Sequence, residues 1–335
     1  MQTAIGFDVG RSSVKVVASW GARREQILYP SSVCPAFALT DEEEAARSEA
    51  ETAIVNGKPW FTGNTAALQG GDDMLGGLRD DWAFSEQHAA LFLAGMRKLR
   101  DAGVPGLDTA LIVLGLPAAL YASQRAGLAQ ELARHAPRAE LRVMPQPLGP
   151  YQQLLFDPDG GETADFRADD TSWGVVEVGQ YTTDYALLLQ GRTIENAYGS
   201  CEGMHIAAQQ LQRTLRGRSF AVTLSESSKL LETKTLRNFG ESVDVTDEVE
   251  RSVRPLADQI VDKANQLIGK SARTLDGVLV AGGGASLVLP ALQRAWPHAR
   301  MLENPRFSVA EGFARYARAF NAYRQSRAAA TGTEG

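Results

Sequence analysis

Residues 4–19, AIGFDVGRSSVKVVAS, carry the pattern that decides the fold. Ala4 to Phe7 form an apolar run, Asp8-Val9-Gly10-Arg11-Ser12-Ser13 have turn chemistry, and Val14 to Ala18 alternate. This predicts a β-hairpin in which Gly10 stands where the backbone needs a freedom that a Cβ denies. The turn gathers a carboxylate (Asp8), two hydroxyls (Ser12, Ser13), an ammonium (Lys15) and exposed backbone N–H groups. Such a concavity suits a polyphosphate carrying a divalent cation.

The same pattern returns at WGVVEVGQYTTDYALL, from Trp173, with no gap and a constant offset of 169 residues from Ala4. Glu177 falls on Asp8, Val178 on Val9, Gly179 on Gly10, Thr182 on Ser13 and Asp184 on Lys15. One acid–glycine hairpin is ordinary in any β-rich protein. Two in register, each starting half of a long chain, predict a duplicated fold with two loops facing one ligand.

At 335 residues the chain exceeds the size at which a single core stops growing, so two domains are expected. The apolar fraction of 44% and charged fraction of 22% are those of a soluble globular protein. A net charge of −6 leaves no basic footprint for nucleic acid, so a role on DNA would run through a partner. Cys34 and Cys201 lie far apart, lack metal-ligand spacing and suit a reducing cytoplasm. MQTAIGFDV has neither a basic n-region nor an apolar h-region, and no run reaches the ~20 apolar residues of a membrane span. A cytoplasmic protein without membrane contact is expected.

Along the first half, Gln26 to Tyr29 predict a third strand, and 41–51 (DEEEAARSEAE) a solvated loop or short surface helix. Asn56-Gly57 predict a second hairpin over Ala53 to Thr62. Gly63 to Asp81, rich in Gly and Asp, read as a surface loop. Helical spacing predicts a helix over Ser85 to Ala102, with Ser85 as N-cap. Ala110 to Leu116 read as a strand covered on both faces, Leu120 to Ala136 as a helix, Leu141 to Met144 as another buried strand, and Leu148 to Phe156 as a short helix.

Asp157 to Thr171 are a polar connector and the candidate boundary between halves. After the repeat come a short strand (Arg192 to Ala197), a glycine-flanked turn (Tyr198 to Gly203) and helices over Met204 to Arg216, Thr223 to Thr233 and Val245 to Ile268. Gly277 to Ala281 form a buried strand entering Gly282-Gly283-Gly284, with a helix behind it (Ser286 to Trp296). A strand at Arg300 to Leu302, a helix over Ser308 to Arg324 and a frayed tail from Gln325 complete the chain. Strands alternating with helices in both halves predict an α/β fold with two sheets.

Two further features join the hairpins. In strand–GGG–helix, glycines without Cβ let the backbone approach a phosphate or ribose. Close strand–helix packing accounts for the same glycines. Glu226-Ser-Ser-Lys229 set an acid and a base on one helical face, as a ligand site or as a surface i,i+3 pair.

In this order the features resemble the actin-like ATPase superfamily, which also contains sugar kinases and the heat-shock chaperone ATPases. Asp8-x-Gly10 looks like its first phosphate loop and Glu177-x-Gly179 its second. Ala281 to Gly284 look like its adenosine loop, and Val113 to Pro117 and Tyr198 to Gly203 its connecting strands. Within the superfamily the chain is most similar to the ParM/StbA plasmid-segregation ATPases, through V-M-P-Q (143–146), E-V-G-x-x-T-x-D (177–184) and N-P-x-F-x-x-x-x-G-F (304–313).

That resemblance implies an actin-like fold. Domain I would span 1–157 with a C-terminal helix near 306–326 returning to it, domain II would span 158–305, and 327–335 would be a flexible tail. A cleft between the domains would hold ATP with Mg²⁺. Asp8 and Glu177 would hold the metal's waters, and Lys15 would reach the β- and γ-phosphates. Gly10, Ser12 and Ser13 would give donors to one side of the phosphates and Gly179, Tyr181 and Thr182 to the other. Gly282, Gly283 and Gly284 would pass the α-phosphate and ribose, with Glu226 and Lys229 bordering ribose and purine. Asp8, as a surface-loop carboxylate, would add little to stability.

Two positions depart from the plasmid-segregation pattern. Gln146 stands where a catalytic Glu is usual; an amide cannot remove a proton but can orient a water in line with the γ-phosphate. Glu177 opens the second loop where Asp is usual, with one more methylene of reach. The implied function is an ATPase whose nucleotide-dependent filaments, made of copies of this chain, move plasmid DNA through a centromere-binding adaptor. A small-molecule kinase and a non-polymerising ATP-binding scaffold are the rivals. His88, His135, His205 and His298 show no ligand spacing.

Overall fold

In the computed structural model, which describes residues 2–71, 80–163 and 166–331, the first hairpin joins β1 (Ala4–Val9) to β2 (Ser13–Trp20). The pair is antiparallel with Asp8 opposite Lys15. There follow β3 (Arg23–Pro30), β4 (Val33–Pro35), α1 (Glu42–Ala50), β5 (Thr52–Val55), β6 (Lys58–Thr62) and α2 (Gly63–Gln69). Next come α3 (Glu86–Asp101), β7 (Leu111–Leu116), α4 (Ala118–Ala133), β8 (Glu140–Pro145) and α5 (Leu148–Leu155).

The repeat forms β9 (Trp173–Val178) and β10 (Thr182–Leu189), bounds that coincide with those of β1 and β2 at the offset of 169. Behind it lie β11 (Arg192–Thr193), β12 (Gly199–Glu202), α6 (His205–Gly217), α7 (Leu224–Thr233) and a hairpin of β13 (Thr235–Asn238) and β14 (Glu241–Asp244). Then α8 (Thr246–Ala272), β15 (Gly277–Ala281), α9 (Ala285–Ala295), β16 (Ala299–Met301) and α10 (Ser308–Thr331) end the chain.

The chain divides into two units, Met1–Arg167 with Phe307–Gly335, and Ala168–Arg306. Their main sheets have one plan. In the first unit the strand order is β3-β2-β1-β7-β8, and in the second β11-β10-β9-β15-β16, with β12 also on β10. In each, the glycine hairpin has an antiparallel strand on one side and two parallel strands on the other. Parallel neighbours require crossovers, and helices α4 and α9 supply the last one in each unit.

In the first unit α3 and α10 cover opposite faces of the sheet. Phe7 packs on Phe92 of α3, ring centroids 5.0 Å apart, and both are fully buried. Burying one such ring is worth about 1.5–3 kcal/mol. On the other face α10 lies directly on the backbone: a Cβ on Gly6 would stand 1.9 Å from Ala310 O. In the second unit Val176 and Val178 share a core with Leu211 and Leu215 of α6 and Leu256 and Ile260 of α8.

Local chemistry accounts for the boundaries. Ser85 Oγ accepts from the His88 N–H at 3.1 Å and so caps α3. Asn56 and Gly57 both take positive φ (50° and 77°), as a two-residue turn between right-twisted strands requires. The acidic 41–51 stretch resolves into helix α1, capped by Asp41.

Several sequence expectations are corrected. Gly63–Gln69 are helical rather than loop, and the remainder of that expected loop, 72–79, lies outside the described residues. The turn that the glycines of Tyr198 to Gly203 suggest is instead a strand, the element that the resemblance implies there, since Gly199–Glu202 pair with β10. Of the strand expected over Arg192 to Ala197, only Arg192–Thr193 is extended, and Glu195–Ala197 turn into a 3₁₀ segment. β8 is an edge strand, half-buried over most of its length instead of covered on both faces. The last helix runs to Thr331 and takes in most of the expected tail; 332–335 lie outside the described residues. The connector's 164–165 also fall outside them. The β13–β14 hairpin was not foreseen.

Candidate functional site

In the first unit the hairpin carries Asp8 to the end of β1 and Lys15 to the facing position on β2. Lys15 Nζ lies 3.1 Å from Asp8 Oδ2, and the Gln146 amide donates to Asp8 Oδ1 at 2.8 Å. Asp8 is therefore not a surface-loop carboxylate: it is 4% exposed, with both oxygens engaged. The two partners offset the desolvation that a buried carboxylate suffers.

Gln146 owes its position to strand pairing. Its N–H donates to Leu116 O at 2.8 Å, which extends the β7–β8 ladder by one residue before Pro147 starts α5. Its side chain passes over Gly115, where a Cβ would stand 2.9 Å from Gln146 Cγ. Gly115 is thus a positioning residue that sequence reading missed; a glycine inside an otherwise apolar strand was its only signal.

The Gly10 turn is tight. A Cβ there would stand 2.8 Å from Ser13 O and 3.0 Å from Lys15 Nζ. Ser31 holds the turn from β3's end, its hydroxyl donating to Gly10 O and its N–H to Ser12 O. Ser12 is exposed and Ser13 buried.

In the second unit the facing pair is Glu177 and Asp184, so a carboxylate replaces the ammonium of Lys15. Asp184 is fully buried and accepts from Ser200 Oγ at 2.6 Å and Thr182 Oγ1 at 2.9 Å. Those hydroxyls tie the turn to β12. Beside Asp184, burial pushes the Tyr185 hydroxyl far above its usual range, so it stays a neutral donor to Ile260 O at 3.2 Å.

The Gly179 turn has the geometry of its counterpart, a Cβ here meeting Thr182 O at 2.8 Å. The Gly179 N–H, however, already donates to Thr182 O at 2.9 Å. Gly179 therefore shapes the turn and does not offer a free donor, a correction to the expected role. Carbonyls of the turn accept from the start of α6: Met204 N–H to Gly179 O at 3.0 Å and His205 N–H to Gln180 O at 2.7 Å. The Tyr181 ring lies tilted against the His205 ring, centroids 5.1 Å apart.

The triple glycine divides its labour. Gly282 has φ +88°, and a Cβ there would stand 2.3 Å from Val178 O and 2.7 Å from Glu177 Oε1. It thus lies directly against the second acid–glycine turn. A Cβ on Gly284 would strike Met204 and Val178, both at 2.6 Å. A Cβ on Gly283 would meet nothing within 4 Å, and the residue is exposed. Only this middle residue has open space for a ligand.

Glu226 and Lys229 are exposed on α7. Glu226 turns back onto the helix start and accepts from the Thr223 N–H at 2.7 Å and hydroxyl at 2.9 Å in a capping box. These bonds hold its carboxyl below the usual range. Gln180 Nε2 donates to Ser228 Oγ at 3.1 Å, linking α7 to the second turn. Each unit therefore assembles its own set, Asp8, Gly10, Lys15 and Gln146 in one and Glu177, Gly179 and Gly282 in the other.

Among the described residues no group of three or more His, Cys, Asp or Glu side chains could hold a metal directly. Asp8, with both oxygens already bonded, suits hydrogen bonds to a metal's waters better than direct ligation. No helix among the described residues is long and apolar enough to cross a membrane.

Comparison with known proteins agrees with this architecture. Residues 6–149 match the family model of the actin-like proteins N-terminal domain, and 175–294 that of the archaeal actin homologue MreB-like C-terminal domain. The chain belongs to the actin-like superfamily. Among solved structures this actin-like chain is similar to the actin-like protein Alp7A, at 14% identity and TM-score 0.74, covering 98% of each chain. It is also similar to the ParM of a 15-stranded filament from Clostridium botulinum, at 18% identity and TM-score 0.72, covering 94% of this chain and 99% of that one. A third is the archaeal actin homologue Ta0583 in complex with ADP, at 18% identity and TM-score 0.68, covering 95% and 99%. At such identities the likeness is one of fold. No curated protein matches the sequence.

Proposed function

We propose that this actin-like chain binds ATP with Mg²⁺ through its two acid–glycine turns, hydrolyses it, and assembles into nucleotide-dependent filaments that segregate plasmid DNA. The observation that carries the reading is the set around Asp8, where an ammonium and an amide converge on one carboxylate beside a glycine turn. Lys15 would share its charge with the β- and γ-phosphates, and Ser12 and Ser13 would donate to them. Gln146, with its Nε2 given to Asp8, presents Oε1 as an acceptor that orients a water. Asp8 and Glu177 would hold the waters of Mg²⁺, which when bound would offset phosphate charge. Gly10, Gly179, Tyr181 and Thr182 would frame the phosphates. Gly282 to Gly284, with Glu226 and Lys229, would border the nucleoside.

The ADP complex of Ta0583 supports the nucleotide, and the Clostridium botulinum ParM filament supports self-assembly. With a net charge of −6, the chain would reach DNA through an adaptor that itself binds the centromere. Electron microscopy of the purified protein with a slowly hydrolysed ATP analogue tests the proposal. Filaments with the analogue that are lost on exchange into ADP are expected. An absence of polymer with every nucleotide, across micromolar concentrations, would remove the filament, and an absence of ATP turnover the enzyme.

A further inference from the structure

Phe239 breaks two local rules at once. It is fully exposed, and it has a φ of 47° at the first position of the Phe239-Gly240 turn between β13 and β14. Gly240 follows at φ 90°, so both turn residues lie in the left-handed region. That first position favours Asn, Asp or Gly, and a bulky side chain there is an outlier. A ring fully in water, on a turn that disfavours it, adds nothing to the core of its own unit.

We propose that Phe239 is a knob that enters a groove on a second copy of this chain. The inference rests on the self-assembly proposed above and names its contact. The groove, about 520 Å³, is lined by Tyr121 and Arg125 of α4, Met144 of β8 and Tyr316 of α10. Ring faces, a thioether and a guanidinium are the partners an aromatic ring takes. No carboxylate is among the described residues that line it. A second groove, about 310 Å³ beside α8 and α9, sets Glu250 among Lys234, Arg254 and Arg294 and has neither an aromatic ring nor a thioether among the described residues that line it.

Glu241, exposed and directly after the turn, would meet Arg125 in the first groove. It pairs with Asn238 across the hairpin, while Arg237 pairs with Ser242 on the opposite face. The ring faces and the thioether, present in the first groove and absent from the described lining of the second, select the first. Because knob and groove are different surfaces, the contact is heterologous and adds copies end to end.

The full-length chain tests this with ATP in a sedimentation assay. Phe239→Ala removes the knob, and Ala126→Trp fills the groove. Each variant alone is expected to need at least a tenfold higher concentration to pellet than the unaltered chain. Mixed in equal amounts they should form a 1:1 dimer by analytical ultracentrifugation, since one retains the groove and the other the knob. Phe239→Asn, which suits the turn, should behave as Phe239→Ala with an unchanged or higher melting temperature, so loss of assembly cannot come from misfolding. ATP affinity should stay within twofold throughout. Pelleting of both Phe239 variants at the unaltered chain's concentration, or a mixture that yields no dimer, overturns this contact alone. If the unaltered chain never assembles, the contact and self-assembly fall together.

Discussion

Gln146 and Asp8 are 138 residues apart in sequence and joined by a 2.8 Å hydrogen bond from amide to carboxylate. The bond fixes which end of the amide faces outward. With Nε2 committed, Oε1 is the group left to orient a water, a duty that matters chiefly in the transition state. Gln146→Ala is expected to lower turnover about tenfold to a hundredfold while ATP affinity changes little. Single-turnover hydrolysis beside equilibrium nucleotide binding checks it; a fall in affinity with turnover unchanged would make Gln146 a binding residue.

Asp8 is held from both sides, so its removal reaches the fold as well as the chemistry. Asp8→Ala would leave the Lys15 ammonium, 15% exposed, without its buried partner. Loss of one member of a buried pair costs about 3–5 kcal/mol, less here because Lys15 keeps some water. Asp8→Asn retains the shape and an acceptor for Lys15. Both variants should be inactive in ATP hydrolysis, with denaturant unfolding showing the larger stability loss for Asp8→Ala.

Gly115 offers a test of geometry without touching a polar group. A methyl at this position would crowd Gln146 Cγ at 2.9 Å and Phe313 Cε2 at 3.1 Å. Overpacking of this kind costs about 1–3 kcal/mol. Gly115→Ala should therefore lower kcat with KM for ATP nearly constant, because the displaced amide no longer aims its oxygen. A KM effect at constant kcat would assign Gly115 to nucleotide binding.

The hairpins were legible because alternation, acid and glycine recur at one offset, and the strands β1, β2, β9 and β10 keep that offset at all four bounds. The proposed site residues on those turns were legible for the same reason. Other features had no local signature. From Gly199 and Gly203 alone β12 reads as a turn, and only the family resemblance implied a strand; it is extended because β10 offers it a ladder. Gly203 serves the second turn instead, where a Cβ would stand 2.7 Å from Gly179 O. The β13–β14 hairpin escaped because its turn begins with Phe239 instead of Asn or Asp. Asp184 could be aligned with Lys15, but its bonds to Thr182 and Ser200 depend on strand pairing.

His88 gives the chain an acid-side instability. Its ring is fully buried against Trp82, with Nδ1 unpaired, and burial lowers its pKa from 6.5 to about 4. Between those values the unfolded chain takes up a proton that the folded chain refuses, so stability falls as pH falls through this window. The slope approaches about 1.4 kcal/mol per pH unit, about 3 kcal/mol in all. His88→Leu should flatten that part of the curve. Urea unfolding of both proteins at pH 7.5 and pH 5 measures it; equal losses in the two would remove His88 as the source.

Gly282 and Gly283 separate what glycine does for the fold from what it would do for a nucleotide. At Gly282 the positive φ and the 2.3 Å approach to Val178 O forbid any side chain, so Gly282→Ala should destabilise the second unit whatever is bound. At Gly283 a Cβ meets nothing within 4 Å, so Gly283→Val should leave the unfolding midpoint near its original value. If the triple glycine runs beside a nucleoside, those added methyls occupy its place and ATP affinity drops at least tenfold. Calorimetric titration of ATP into Gly283→Val, with its unfolding curve as control, gives the answer. Unaltered affinity in a folded Gly283→Val variant would leave Gly282 and Gly284 with packing roles alone and the nucleoside to be sought elsewhere.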